Sequence, residues 1–308
     1  MLSPKLIIII VSYNGEKWIF ECIRSIIKNR FDHYQVVVVD NASQDGTVEI
    51  IKKKFRKVVL LNQKKNIGFG KGANVGIQYA ISQKADYIML LNQDIKLEET
   101  CIENMIAVCK QNREIGIASP LQMNYDGSAI DSHFKRLYNL KSEQPEENAE
   151  LLQNSIEVET IIGASMLFRR AVIEAIGTFD PLYFLYHEES DLCRRARYHG
   201  IQIHIIPKAR VLHKHMQLSP NDMTIKAKIS ATYGYYFYIL KNPFRSFFHN
   251  IREMLKQMQE WARRDGHWSK IFARSLINGV AAGIILIHLH RIIKNRKSDM
   301  MLKKLLHE

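Results

Sequence analysis

Two short runs, Leu6–Val11 (LIIIIV) and Gln35–Asp40 (QVVVVD), constrain this chain most. β-branched residues without polar alternation leave no face for water, so each run suits a parallel strand covered on both sides. Between them Glu16–Asn29 has helical spacing, with Trp18, Cys22, Ile23, Ile26 and Ile27 as its apolar stripe. The alternation continues with a helix near Val48–Phe55, opened by Ser43-Gln44-Asp45-Gly46-Thr47, and a strand at Lys57–Asn62. A helix at Gly72–Gln83 and a strand at Tyr87–Leu91 complete it. This βαβαβαβ order predicts a doubly wound, mostly parallel sheet flanked by helices, with ligands bound at the strand C-termini. Polar residues gather at those ends: Ser12-Tyr13-Asn14, Asp40-Asn41, Asn62 to Asn66, and Asn92-Gln93-Asp94.

Farther on, the spacing predicts a helix at Glu98–Asn112 and a strand at Ile115–Ser119. Lys141–Ser155 (KSEQPEENAELLQNS) is acidic, polar and poor in large apolar side chains, the composition of a mobile loop. A strand at Thr160–Phe168, a helix at Arg170–Ile176, a turn at Gly177–Pro181, a helix at Glu188–His199 and a strand at Gln202–Ile206 follow.

Charge divides the chain more sharply than any linker does. The 308 residues carry a formal net charge of +13, and sixteen Lys/Arg against six Asp/Glu lie beyond residue 220. That basic, helical-looking tail suits a polyanion, either an anionic membrane surface or nucleic acid, or else a solvated helical face. Within it Ser275–His290 is broken by Asn278, Gly279 and Gly283 and falls short of the roughly 20 apolar residues a bilayer crossing takes. It suits a helix lying at the interface, or one packed on the protein. Four scattered cysteines, Cys22, Cys101, Cys109 and Cys193, form no paired motif and suit reduced thiols in a cytosol.

Three features carry candidate chemistry. Gly68-Phe69-Gly70-Lys71-Gly72-Ala73 matches the dinucleotide fingerprint, yet it follows the third strand rather than the first; a loop letting a helix pack close explains it as well. Glu188, Glu189 and Asp191 crowd the start of a helix, where repulsion raises a carboxyl pKa toward that of a general base. Charge at a helix N-terminus also accounts for acids there, with Arg194, Arg195 and Arg197 toward its end. The aromatic run Tyr183-Phe184-Leu185-Tyr186 before them points to a walled pocket. Tyr233–Tyr238 reads as a core-facing helix or an aromatic platform, and Lys64-Lys65 as a solvated turn.

Taken in order, Val11–Asn14, Val39–Ser43 with Asp45–Thr47, Asn66–Gly70, Leu91–Asp94, Gly163–Met166, Gly177 with Phe179-Asp180, Glu188–Leu192 and His213 resemble the landmarks of glycosyltransferase family 2, GT-A fold, in its bacterial rhamnosyltransferase-like branch. The resemblance runs from about Lys5 to Ser219 and implies a catalytic domain over 1–220, with a nucleotide-binding half at about 1–97 and an acceptor-side half at about 98–220. Residues 221–308 are then a basic helical extension. By the same resemblance Ser12, Tyr13 and Asn14 floor the nucleotide, Asp40 bonds base or ribose, and Asn66, Gly68 and Asn92 line the donor. Asp94 then holds Mg²⁺ or Mn²⁺ on the diphosphate, with His213 completing the metal site. Glu189 stands as general base, and Glu188 and Asp191 are counted with it as catalytic candidates.

Two departures accompany the match: Asn92 stands where the metal motif has its first acid, and Glu188-Glu189 replaces a Glu-Asp pair. The implied activity is inverting sugar transfer from a dTDP- or UDP-sugar, dTDP-rhamnose being favoured, to a surface polysaccharide or lipid-linked glycan precursor. The implied place is the cytoplasm, at the inner face of the plasma membrane; no nucleic acid is expected as a partner, and a homo-oligomer is admitted. The alternatives are a non-catalytic sugar-nucleotide or polyanion binder and a nicotinamide-dependent oxidoreductase. His215 enters as a phosphate contact or an exposed side chain.

Overall fold

A computed structural model describes residues 3–214, 224–263 and 268–307. Its first half is the expected alternation: β1 (Leu6–Ser12), α1 (Ile19–Ile27), β2 (Tyr34–Asp40), α2 (Thr47–Lys54), β3 (Val59–Asn62), α3 (Phe69–Ser82) and β4 (Tyr87–Asn92). A five-strand extension of the sheet, unanticipated in part, follows: β5 (Ile95–Leu97), α4 (Cys101–Gln111), β6 (Ile115–Asn124), α5 (Ser132–Leu137), β7 (Ile156–Glu157), β8 (Ser165–Arg169), α6 (Arg170–Ile176), α7 (Glu188–Tyr198) and β9 (Gln202–His213). Three further helices, α8 (Ile225–Leu240), α9 (Phe247–Arg263) and α10 (Trp268–His307), make up the extension.

The strands join in the order β3-β2-β1-β4-β8-β6-β9-β5, with β7 on β9. β3, β2, β1 and β4 run parallel, whereas β8 is antiparallel to both its neighbours and β5 is antiparallel to β9. The parallel expectation therefore describes the first half, and the second half is mixed. Strand order turns back at β1, whose C-terminus lies between those of β2 and β4, so a crevice opens at this point.

Burial on both faces is realised residue by residue. Leu6, Ile8 and Ile10 of β1 join one core with Ile23 of α1 and Met105 of α4, while Ile7 and Ile9 join the other with Ile77 of α3 and Phe179. Each such side chain contributes on the order of 1.5–3 kcal/mol. Helix α3 comes close because of its glycines: a Cβ at Gly72 would stand 2.9 Å from Val11 Cγ1, and one at Gly76 2.4 Å from Ile9 Cγ2. Gly72 thus has the packing role expected of the glycine run. β6 and β9 outlast their apolar runs because each pairs through a register shift near Pro120, reaching Asn124 and His213.

Lys141–Ser155 departs from the mobile loop its composition suggests. Asn148 is buried; its carboxamide oxygen accepts from the Lys141 and Ser142 amides, and its nitrogen donates to the Ser142 and Gln144 carbonyls. A single polar hub thus organises the segment, a long-range effect that composition does not register.

The tail packs. Tyr233, Tyr236 and Phe237 of α8 share a core with Tyr183 and with Ala281, Ile285 and Ile292 of α10, so the aromatic run is core. Within α10, Gly279 and Gly283 do not interrupt the helix, and Ser275–Met300 is long and apolar enough to cross a membrane, with mean hydropathy 1.7. This corrects the expectation of a run too short and broken. Arg296, one of the sixteen basic residues of the tail, turns inward and donates to the Asn242 and Arg245 carbonyls. The 220/221 boundary, His215 and the Arg274 side chain lie outside the described residues.

Candidate functional site

The crevice at the C-terminal edge is built by loops that lock one another. Ser12, buried at the end of β1, donates its hydroxyl to Gln93 Oε1 at 2.7 Å, and the Tyr13 amide donates to the same oxygen at 3.1 Å. Gln93 Nε2 returns a bond to the Tyr13 carbonyl. One carboxamide therefore joins the ends of β1 and β4, a role that its place between Asn92 and Asp94 did not reveal. Asn14 has a left-handed backbone, φ 49°; its amide donates to Ser43 Oγ and its side-chain oxygen accepts from the Gln44 amide. Tyr13 and Asn14 themselves are exposed.

Asp40 is buried, and its carboxylate accepts from the Ser43 amide at 3.0 Å and the Ser43 hydroxyl at 2.5 Å. It thereby shapes the Asn41–Asp45 loop from below. Asn41, placed by the sequence among the polar strand ends without a role of its own, donates to the Gly68 carbonyl and ties the ends of β2 and α3 together. Asn66 accepts from the Gly68 amide, closing a two-residue turn. Gly68 needs its lack of a side chain twice: its φ is +89°, and a Cβ would stand 2.3 Å from the Phe184 carbonyl oxygen. The glycine loop and the aromatic run, 116 positions apart, are therefore one wall.

That wall carries the acid pair. Tyr186 and His187 both adopt left-handed φ, 72° and 68°, a strained entry to α7 costing on the order of 1–3 kcal/mol per residue. Helix α8 holds it: Tyr233 Oη donates to the Leu182 carbonyl and accepts from the Phe184 amide, and Ser230 Oγ donates to the Leu185 carbonyl. The His187 ring lies among Tyr235 and Tyr238, where burial lowers its pKa to about 4 and keeps it neutral near pH 7.

Glu188 and Glu189 open α7 where the helix dipole favours negative charge. Glu188 is buried against Gly70, and no described group bonds its Oε2. Burial, and secondarily the Glu189 charge, raise its pKa to about 8. Burial likewise raises Glu189, whose side chain packs on Gly163. Glu188 is therefore largely protonated near neutrality, and the proton affinity of each acid depends on the charge of the other.

Asp191 does not belong to this group. It is wholly buried and accepts from Arg194 at 3.0 Å, Arg195 at 3.2 Å, Lys241 at 2.9 Å and Tyr183 Oη at 3.2 Å. Although its burial opposes ionisation, Lys241, Arg195 and Arg194 together hold its pKa well below the carboxylate range. Proximity in sequence put Asp191 among the catalytic candidates; its packing makes it a structural anchor between α7 and the tail.

At the other end of the crevice β5 and β9 pair Ile95 with His213, which sets Asp94 beside the imidazole, Oδ1 to Nε2 at 3.8 Å. With ligand bonds of about 2.1 Å, one cation can reach both atoms. Among the described residues no group of three His, Cys, Asp or Glu side chains is placed to hold a metal. The pair therefore fits an ion that takes its remaining oxygens from a diphosphate and water. Asn92 presents its amide to the Ala164 carbonyl at 2.9 Å. A continuous path thus runs from Glu189 through Gly163, Ala164 and Asn92 to Asp94 and His213, joining the acid pair to the Asp–His corner.

Comparison with known proteins identifies the family and the fold. The profile described as Glycosyl transferase family 2 matches residues 7–177. The dTDP-rhamnosyl transferase RfbF of Shigella flexneri is 25% identical over 214 residues, 69% of this chain and 70% of that protein. In fold the chain resembles S. aureus TarS 1-349 in complex with UDP-GlcNAc, at TM-score 0.61, 16% identity and coverage of 98% and 90%. It also resembles the mannosyltransferase PcManGT from Pyrobaculum calidifontis in complex with GDP-Man and Mn²⁺, at TM-score 0.59, 14% identity and coverage of 99% and 87%.

Proposed function

Since the chain belongs to glycosyl transferase family 2, we propose that this glycosyltransferase moves a sugar, with inversion, from a dTDP- or UDP-sugar to a hydroxyl of a surface polysaccharide or lipid-linked glycan precursor. The RfbF relative favours dTDP-rhamnose as donor. One observation carries the reading: Glu189 packs on Gly163, next to the Ala164 carbonyl that accepts from the Asn92 amide, so the acid pair is linked to the Asp94–His213 corner at the C-terminal end of β4.

Ser12, Tyr13, Asn14, Asp40, Asn66 and Gly68 shape the floor on which the nucleotide lies, with Asn92 at the donor's sugar side. Asp94 and His213 would hold Mg²⁺ or Mn²⁺, which when bound neutralises the charge that develops on the leaving diphosphate. Glu189 takes the proton of the acceptor hydroxyl as its oxygen attacks the anomeric carbon. The bond from that carbon to the diphosphate oxygen breaks in the same displacement, so the configuration inverts. Glu188, buried and largely protonated near neutrality, adds little negative charge beside the more accessible Glu189. Residues 1–220 are the catalytic domain in this reading. The extension 221–308 both braces α7 and offers an exposed apolar and basic face to the inner surface of the plasma membrane.

Glu189→Gln tests the assignment. Turnover should fall by about 10²- to 10⁴-fold with dTDP affinity unchanged, the size of a lost general base. Turnover at the wild-type rate would remove Glu189 from the role.

A further inference from the structure

A cleft of about 810 Å³ opens beyond His213, on the β6–β9 side of the Asp94–His213 corner and away from the β1–β2 edge where the nucleotide floor lies. Its walls carry charges of both signs, but their situations differ. Each acid already has a partner inside the protein. Asp126 accepts from the Ser128 amide at 2.9 Å, Asp131 caps α5 by accepting from the Phe134 amide at 2.9 Å, and Glu143 lies 3.5 Å from Lys135 Nζ.

The lysines of the cleft make no ion pair with a described residue, although the Lys214 charge is among the influences that lower the Asp126 pKa. Lys96 Nζ stands 3.9 Å from the centre of the Tyr125 ring and Lys214 Nζ 5.8 Å from the same centre. Among the described residues neither is within ion-pair distance of a carboxylate. Two like charges converge on one ring because β5 and β9 pair there: Lys96 faces Leu212, and the Lys214 amide donates to the Asp94 carbonyl. Tyr125 is itself braced edge-on by Trp18 at 5.8 Å, with Lys17 Nζ 4.9 Å from the indole centre. Cation–π contacts return only about 0.5–1 kcal/mol at exposed sites, too little to be the reason for gathering like charges. An anion between the two ammonium groups relieves their repulsion, and the ring beneath them offers the apolar face against which a sugar lies.

We propose that this cleft docks the acceptor and that it takes a sugar bearing a phosphate or diphosphate, the phosphate between Lys96 and Lys214 and the sugar ring against Tyr125. The assignment deepens the sugar-transfer reading and rests on it. A phosphate here has two sources, the acceptor or the donor's own diphosphate; placement beyond His213 favours the acceptor.

The test is calorimetric, on the full chain saturated with dTDP, with glucose 1-phosphate and methyl glucoside as probes that differ by the phosphate. Wild type should bind glucose 1-phosphate at least about tenfold more tightly, the scale of a charge-assisted contact. Lys96→Ala/Lys214→Ala should erase that preference, Lys96→Arg should keep it, and dTDP affinity and melting temperature should stay as in wild type. Equal binding of the two probes by wild type overturns the proposal, as does a preference that survives the double variant. Loss of dTDP affinity in step with the lysines would assign them to the donor and overturn it too. Failure of wild type to bind any nucleotide diphosphate instead strikes the sugar-transfer reading, and the two probes then still decide whether a phosphosugar site exists.

Discussion

Lys241→Met should expose how the tail supports the catalytic helix. Lys241 Nζ lies 2.6 Å from Asp180 Oδ2 and 2.9 Å from Asp191 Oδ2, with all three side chains at most 5% exposed. Near neutrality Asp180, Asp191 and Asp299 face Lys241, Arg194 and Arg195, three acids against three cations. Removing the lysine leaves one buried negative charge in excess. Breaking a buried pair in this way costs about 3–5 kcal/mol, and the remaining bonds from Arg194, Arg195 and Asn295 place the loss near 3. At about 2.1 cal/mol/K per residue over 308 residues, that is a drop of roughly 5 °C in Tm. The pH dependence follows from Asp299, which burial raises to about 6. Below that value it is protonated, the excess acid disappears in the variant, and the gap from wild type should be smaller at pH 5 than at pH 7.5. Thermal unfolding followed by circular dichroism reads both quantities. A Tm change under about 1 °C, or a larger gap at pH 5, would refute the reasoning.

Other perturbations separate site from scaffold. Gly68→Ala adds a Cβ against the Phe184 carbonyl at a positive φ, so it should lower Tm by several degrees and weaken dTDP binding in titration. Glu188→Gln removes a buried acid whose folded pKa is about 8 against 4.5 for the free group. Wild type loses stability by that ionisation as pH rises above 4.5 through 8, so the variant's Tm should exceed wild type by a margin that widens from pH 5 to pH 9. Neutralising the exposed Arg291, Lys294 and Lys297 should weaken binding to anionic vesicles in sedimentation on the order of a hundredfold, at about 1 kcal/mol per charge, while Arg296→Gln should lower Tm instead.

The parallel half of the molecule was legible because its signals are local. LIIIIV and QVVVVD cannot be solvated on either side, and the short polar groups after each strand mark the edge where chain direction reverses. The mixed half was less so. β5 is three residues long, and it exists only because β9 runs on through Pro207 to offer it a partner. Likewise Asn148 looked like part of a polar loop, and Arg296 like part of a basic tail; what each bonds lies in segments brought close by folding.

Sequence alone determined the alternating α/β order, the polar strand ends, and the chemical types available there: a carboxylate at 94, an imidazole at 213, and adjacent acids at 188 and 189. Periodicity and composition are properties of neighbouring residues, and these readings needed nothing more. Tertiary structure decided which of the acids could serve a site. Glu188 and Asp191 are three positions apart on one helix, yet one is raised by burial beside Gly70 and the other held ionised by Lys241 from a helix fifty residues away. A carboxyl group's proton affinity depends on desolvation and on the charges around it, and only folding brings those charges to it.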